Sequence, residues 1–255
     1  MLNRVEMGKD GELAPLLIVH GLYGSARNWG AIQRRLAADR RVIAVDMRNH
    51  GESPRADSQT YADMAADLAE VIAAEGRPLD VIGHSMGGKA AMVLALTHPG
   101  IVNRLLVADI APVPYPHGNL NAGYARAMRA LDLGAITTRS DADRLLAPGV
   151  PDPGTRAFLL QSLDLKATPP RWRLNLDVLE RDMDAITGFP DLAGQFGGPA
   201  LFLSGQMSTY VRPEHRERIK ALFPKAIFAR LPGAGHWLHA DAPRPFEEAA
   251  RAFFH

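Results

Sequence analysis

Gly83-His84-Ser85-Met86-Gly87 is the most informative segment of the chain, because its Gly-x-Ser-x-Gly spacing is typical of a nucleophile elbow. The segment lies between an apolar run, residues 79–82, and a helix-prone stretch, residues 89–96. A serine on a sharp turn between strand and helix occupies a strained backbone region, and glycines two positions before and after it leave room for neighbouring chain. The strand before, the helix after and the extra Gly88 make the pattern more specific than the pentapeptide alone. The pattern predicts that Ser85 is the nucleophile of an acyl-transfer reaction.

A serine hydroxyl becomes a useful nucleophile only when a base takes its proton, and a histidine near the C-terminus is the expected base. In proteins with this elbow the chain order is serine, acid, histidine. His236 lies in a glycine-rich loop, residues 233–237, after the apolar run 226–231. His239 is its nearest rival, but we expect it on the following loop or helix start. His84 is predicted to be a packed or hydrogen-bonded residue of the elbow, so His236 is the predicted base.

The acid that orients the histidine is the less obvious assignment. In many proteins with this layout it follows the next-to-last strand, but residues 205–212 contain no Asp or Glu. One strand earlier, the apolar run 105–108 leads directly into Asp109, at the sheet edge where open α/β sheets place their sites. Asp241 and Glu214 are alternatives, although each is also typical of a helix start. Asp109 is the predicted acid.

Two backbone amides are predicted to bind the oxyanion of the transition state. One is the N–H of Met86, because free amides and the helix dipole at the start of the elbow helix favour negative charge. The other is the N–H of Leu22, in the glycine-containing loop 20–24 that follows the apolar run 16–19. We expect His20 to hydrogen-bond this loop rather than to take part in catalysis.

Apolar runs alternate with segments of helical periodicity, which predicts an α/β fold with a mostly parallel sheet covered on both faces. The predicted strands are residues 16–19, 41–45, 79–82, 105–108, 200–203 and 226–231, and the clearest helices are residues 61–76, 213–222 and 243–254.

The alternation breaks between residues 112 and 190, where helix-like pieces occur without a convincing strand. We therefore expect residues 1–111 and 191–255 to form the core and residues 112–190 to form a helical cap inserted over the site. Apolar and aromatic side chains of the cap and of the site loops could line an acyl pocket, although apolar residues at helical spacing more often belong to the core. The predicted substrate contacts are Tyr23, Met128, Phe158, Trp172 and Trp237.

With these motifs in place, the chain resembles the α/β-hydrolases, and over nearly its whole length the small bacterial esterases of the YbfF type. The resemblance is carried by residues 20–25, 46–54, 83–88, 109–113 and 235–237. It implies a serine hydrolase of esters or thioesters, with the acid on the loop after the strand that follows the elbow. Asp109 matches that placement. In the segment 46–54, the resemblance implies that Asp46, Arg48 and His50 form a structural hydrogen-bond network.

Other activities share the same three residues, because fold and nucleophile do not determine the substrate. C–C bond hydrolysis, lyase chemistry and acyl transfer would need polar or cationic groups at the acyl pocket, for which the cap offers Arg126, Arg129, Arg171 and Arg173. A binding protein built on a hydrolase fold is a further class. Such proteins usually lack a member of the catalytic set, and here all three are present.

Composition restricts the remaining possibilities. The 255 residues are 47% hydrophobic and 22% charged with a formal net charge of +1, which gives no electrostatic footprint for nucleic acid or an anionic membrane. There are no cysteines, so disulfides and thiolate metal sites are excluded. We expect a small-molecule ester or thioester as the partner, no cofactor or metal, and a cytoplasmic location, although a periplasmic location reached by a cleaved leader would also suit the composition. The oligomeric state stays open.

Overall fold

The apolar runs of the sequence form one seven-stranded sheet in the computed structural model, which describes residues 1–255. The strand order is β1-β3-β2-β4-β5-β8-β9, and β1 alone runs antiparallel to its neighbour. A separate antiparallel pair is formed by β6 and β7. The strands are β1 (Arg4–Met7), β2 (Leu16–Val19), β3 (Val42–Val45), β4 (Leu79–His84), β5 (Val102–Ala108), β6 (Leu163–Asp164), β7 (Arg171–Trp172), β8 (Ala200–Gly205) and β9 (Ala226–Leu231).

All six predicted strands are present, and the sheet adds one strand that the sequence did not indicate. That strand is β1, whose sequence alternates charged and apolar residues and whose side chains are mostly half-buried. The central strands β2 and β3, in contrast, are fully buried on both faces, as expected for parallel strands that are covered by helices.

Helices cover both faces of the sheet, and successive residues of each strand face opposite helical layers. Leu17 and Val19 of β2 pack in the larger core together with α2 and α3, whereas Leu16 and Ile18 pack in a second core with α1 and α11. The helices are α1 (Gly30–Leu36), α2 (Tyr61–Glu75), α3 (Met86–Thr97), α4 (Gly118–Arg129), α5 (Arg139–Leu146), α6 (Pro153–Leu159), α7 (Leu176–Arg181), α8 (Met183–Thr187), α9 (Arg216–Leu222), α10 (Leu238–Asp241) and α11 (Pro243–Phe254). No helix has the length and apolar character needed to cross a bilayer.

Between β5 and β8 the chain leaves the sheet and forms α4 to α8, which agrees with the predicted helical character of this segment. One detail differs from the expectation. The segment contains the short strands β6 and β7. Strands of two residues are too short to produce a visible period in the sequence. The division into a core and a cap at residues 112 and 190 stays a prediction.

Candidate active site

Ser85 lies at the turn between β4 and α3, in a backbone conformation that side chains rarely adopt, with φ 52° and ψ −121°. The glycines around it are required by close approach of the chain. A Cβ on Gly87 would lie 2.3 Å from the carbonyl oxygen of His20, and a Cβ on Gly83 would lie 2.5 Å from the carbonyl oxygen of Gly87. The turn can therefore form only when both positions lack a side chain, and it presents the serine hydroxyl at the carboxyl edge of the sheet.

The structure brings the three predicted residues together from three different loops. Ser85 Oγ lies 3.1 Å from His236 Nε2, and His236 Nδ1 lies 2.7 Å from Asp109 Oδ2. His236 is on the loop between β9 and α10, and Asp109 directly follows β5. With the proton of the neutral imidazole on Nδ1, His236 donates to the carboxylate and accepts from the serine hydroxyl. This is the arrangement that a general base needs.

Asp109 is fully buried and is held by donors from the loop after β8. Its Oδ1 accepts from the Gly205 N–H at 3.1 Å, and its Oδ2 accepts from the Ser208 hydroxyl at 2.5 Å. Sequence reasoning treated this loop only as one that lacks a carboxylate and so missed Ser208. The position of Ser208 could have indicated its role, because a polar residue at the usual site of the acid lies next to the histidine even when it is not an acid.

Tyr210 is a second residue of the same loop that the sequence did not indicate. Its ring stacks on the His236 imidazole with ring centres 4.0 Å apart and planes 19° apart. The Tyr210 N–H donates to Ser208 Oγ at 3.2 Å, and the Tyr210 carbonyl accepts from the Tyr115 hydroxyl at 2.6 Å. The loop therefore fixes both the acid and one face of the imidazole.

The other histidines near the site lie where they serve packing and hydrogen bonding. His84 donates from Nε2 to the carbonyl oxygen of His236 at 2.9 Å, and burial keeps the pKa of His84 well below its usual value. His239 stacks on Trp29 at 4.0 Å, and burial lowers the pKa of His239 to about 3. His20 lies between the Gly21 carbonyl, 2.8 Å from its Nδ1, and the Met47 N–H, 2.9 Å from its Nε2.

The segment after β3 forms a network around the loop 20–24. Asp46 Oδ1 accepts from the Ala26 N–H at 2.7 Å, and His50 Nε2 accepts from the Tyr23 N–H at 3.1 Å. Arg48 pairs with Asp67 at 2.6 Å. These bonds hold the loop against the elbow and place none of the three side chains beside Ser85, which fits the structural role that the resemblance implies.

The two amides proposed for the oxyanion flank the serine. Leu22 follows Gly21, at which a Cβ would lie 3.2 Å from Ser85 Cβ, so the loop lies against the elbow. The Leu22 N–H donates no hydrogen bond within the chain, and Met86 begins α3. An amide without a partner beside the nucleophile is free to bind an anionic oxygen.

Residues 16–250 match the model of the α/β hydrolase family. The chain belongs to this family. A mouse protein named sn-1-specific diacylglycerol lipase ABHD11 is 40% identical over 251 residues, which cover 96% of this chain and 82% of that protein. Esterase YbfF of Escherichia coli is 36% identical over 243 residues, with 94% and 92% covered.

Among solved structures, one described as a marine microorganism esterase superimposes with a TM-score of 0.94 at 37% identity and covers 99% of this chain and 98% of that one. The predicted fold class and family resemblance of this α/β hydrolase are thereby confirmed. The names of all three proteins contain lipase or esterase, so the predicted carboxylesterase-type hydrolase is confirmed at the level of enzyme class.

Two cavities of this hydrolase meet at the serine. The wide cavity has a volume of about 240 Å³, and three of the predicted substrate contacts, Tyr23, Phe158 and Trp237, line it. The narrow cavity has a volume of about 40 Å³ and extends from Ser85 along α3.

The predicted contacts of Met128 and Trp172 with substrate need correction. Both side chains are buried away from the two cavities, and the Trp172 indole N–H donates to the Met128 carbonyl at 2.9 Å. Both belong to the same hydrophobic core cluster, Met128 from α4 and Trp172 from β7, so they pack in the interior of the inserted segment and not against a ligand.

The four arginines considered for other activities also lie outside both cavities. Each faces a carboxylate of the inserted segment. Arg126 lies 3.2 Å from Glu180, Arg129 lies 2.9 Å from Asp177, and Arg171 and Arg173 lie 3.9 Å and 2.8 Å from Asp164. They therefore place no guanidinium charge beside a substrate.

Proposed function

We propose that this hydrolase cleaves carboxylic esters of small to medium acyl groups through an acyl-enzyme on Ser85, with His236 as base and Asp109 as the orienting acid. The observation that carries the proposal is the unbroken series of contacts, 3.1 Å from Ser85 Oγ to His236 Nε2 and 2.7 Å from His236 Nδ1 to Asp109 Oδ2.

In the first half-reaction, His236 Nε2 takes the proton of Ser85 as Oγ attacks the carbonyl carbon of the ester. The carbonyl oxygen becomes an oxyanion and accepts hydrogen bonds from the N–H groups of Leu22 and Met86. The intermediate then collapses, the bond to the alcohol oxygen breaks, and His236 gives its proton to that oxygen. The alcohol leaves and the acyl group stays on Ser85.

In the second half-reaction, water replaces the alcohol. His236 takes a proton from the water as its oxygen attacks the acyl carbon, and returns the proton to Ser85 Oγ when the carboxylic acid leaves. Each step passes through an imidazolium, and the buried carboxylate of Asp109 stabilises it. The donors on Asp109 from Gly205 and Ser208 hold this carboxylate in place.

Thioesters can follow the same reaction steps, because the leaving sulfur occupies the position of the alcohol oxygen. C–C bond hydrolysis, lyase chemistry and acyl transfer gain no support from the four arginines, whose carboxylate partners lie outside the cavities. The cytoplasmic location and the lack of nucleic-acid or membrane partners stay predictions from composition.

The test is the loss of function in Ser85→Ala together with covalent labelling. A fluorophosphonate should react with Ser85 Oγ with loss of fluoride and add the mass of the reagent less HF to the wild-type peptide that contains Ser85, and Ser85→Ala should lower kcat on p-nitrophenyl butyrate by about 10⁴- to 10⁶-fold. The same comparison on a butyryl thioester tests the thioester activity. Ser162→Ala is the matched control, because the Ser162 hydroxyl donates to the Leu159 carbonyl in the inserted segment and not to the site. A near-normal rate in Ser85→Ala, or a label on another serine, would refute the proposal.

A further inference from the structure

The two cavities at Ser85 differ in size and in which side of the nucleophile they border. They share Leu22, Ser85, Asn121 and Tyr210 in their linings, so both border the serine. The narrow cavity has about one sixth of the volume of the wide one, 40 Å³ against 240 Å³. An ester has two substituents on its carboxyl group, and each cavity can receive one of them.

The position of His236 decides which substituent goes where. Its Nε2 must reach the leaving oxygen to protonate it, so the alcohol part of the substrate has to extend past the imidazole. His236 and the next residue, Trp237, line the wide cavity and are absent from the lining of the narrow one. The narrow cavity instead borders Met86, whose N–H we assign to the oxyanion, and Ile110 after Asp109. The acyl carbon chain points to that side when the carbonyl oxygen is bound by the amides and the leaving oxygen faces His236.

We propose that the narrow cavity is the acyl subsite and admits only short aliphatic acyl chains, whereas the wide cavity receives the alcohol part. This inference rests on the function proposed above and adds the side and the size of each substituent. Met86, Ile110 and Ile186, each at most 4% exposed, give the narrow cavity apolar contacts, and His117 and Asn121 are polar residues of the same lining.

The far end of the narrow cavity is closed by bonds to residues 186–188, at the end of α8, from α3, from the start of α2 and from the loop before α4. Lys89 Nζ donates to the carbonyls of Thr187 and Gly188 at 2.8 and 2.5 Å, and the Tyr61 hydroxyl donates to the Ile186 carbonyl at 2.5 Å. The Tyr115 N–H donates to the Thr187 carbonyl at 3.0 Å. Because Lys89 and Tyr61 already have acceptors here, a long chain could extend only by breaking these buried bonds, which is costly.

The experiment measures kcat/KM on p-nitrophenyl esters from acetyl to octanoyl, which hold the leaving group constant, and on butyrate esters of ethanol and 2-naphthylmethanol. The wild type should lose at least about tenfold between butyryl and octanoyl, since a misfit of even one methylene in an apolar pocket costs about 10- to 200-fold. Ile186→Ala should reduce that loss to less than about threefold, because the smaller side chain opens the side wall of the cavity and leaves the bond from Tyr61 to the backbone of residue 186 in place.

Phe158→Ala is the matched control, because Phe158 packs on Trp237 in the wide cavity with ring centres 5.5 Å apart. It should keep the wild-type acyl profile and change the ratio between the two alcohols. Ile186→Val, a smaller change with the same expected direction, serves if Ile186→Ala does not fold in a thermal melt.

A wild-type optimum at octanoyl, or an acyl profile that shifts in Phe158→Ala and not in the Ile186 variants, would overturn the assignment while leaving Ser85-dependent hydrolysis in place. Absence of Ser85-dependent turnover on every ester would instead remove the proposed function, and this inference with it.

Discussion

Asp109→Asn tests whether the buried carboxylate orients His236. The substitution keeps the shape of the side chain but replaces one of two acceptor oxygens with an amide that only donates. In the structure both oxygens receive donors, from His236 and Ser208 on Oδ2 and from Gly205 on Oδ1. Whichever way the amide turns, one of these sites has a donor facing a donor.

If the amide nitrogen faces His236, the imidazole has to place its proton on Nε2, and it can then no longer accept the proton of Ser85. Loss of the negative charge also removes the stabilisation of the imidazolium. We therefore expect kcat to fall by about 10⁴-fold, which corresponds to about 5.5 kcal/mol of transition-state stabilisation. If the nitrogen instead faces Gly205, an unpaired buried donor should cost about 1–3 kcal/mol of folding free energy.

The assay is single-substrate kinetics on p-nitrophenyl butyrate, with a urea unfolding curve for each variant. Asp241→Asn is the matched control, because Asp241 accepts from the Gly235 N–H at 2.8 Å on the same loop as His236, and an asparagine oxygen can still accept that bond. The reasoning is refuted if Asp109→Asn keeps more than about a tenth of the wild-type kcat while Asp241→Asn abolishes activity.

Three further outcomes are expected. Gly21→Val should lower kcat strongly because its Cβ would lie 2.9 Å from Nδ1 of His84 and displace the oxyanion loop, whereas Met86→Leu should leave kcat within about threefold because the oxyanion binds the amide and leucine keeps an apolar side chain of similar size; equal kcat values in the two variants would contradict this. Tyr210→Leu should lower kcat by up to about tenfold, since an aromatic stack on the imidazole is worth about 0.5–1.5 kcal/mol, and an unchanged kcat would show that the stack does not position the ring. Burial lowers the pKa of His50 and of His239 to about 3, so below their usual pKa of 6.5 the unfolded chain binds more protons than the folded one. Their contribution to the free energy of unfolding is therefore fully present above about pH 6.5 and should fall by about 1 kcal/mol per imidazole from pH 6.5 to 5.5. Urea unfolding curves at the two pH values would show this difference.

The sheet and the reactive residues could be predicted because each depends on a short-range pattern. The buried strands are continuous apolar runs, and the elbow at Ser85 needs glycines at fixed spacing for reasons of space alone. β1 could not be predicted, since a half-buried edge strand with alternating charged residues has no distinctive composition. Asp109 could be placed only because its strand is adjacent to the elbow strand and the loop 205–212 lacks an acid.

The substrate side of the site was less predictable, because contacts across the inserted segment join residues far apart in the chain. Phe158 and Trp172 are both aromatic residues of the inserted segment, yet Phe158 in α6 lines the wide cavity and Trp172 in β7 packs on Met128. Ser208 depends on a bond to a residue 99 positions away. No periodicity within a window of sequence carries that information.

The bonds from Lys89, Tyr61 and Tyr115 to residues 186–188 have a consequence for engineering. These bonds join the helix that follows the nucleophile to the last turn of the inserted segment. Residues 186–188 therefore belong functionally to the scaffold, even though they lie within residues 112–190. A chimaera that exchanged the whole segment for one from another hydrolase would remove the acceptors of a buried ammonium. An exchange that starts after Tyr115 and ends before α8 keeps the donors and the acceptors of all these bonds.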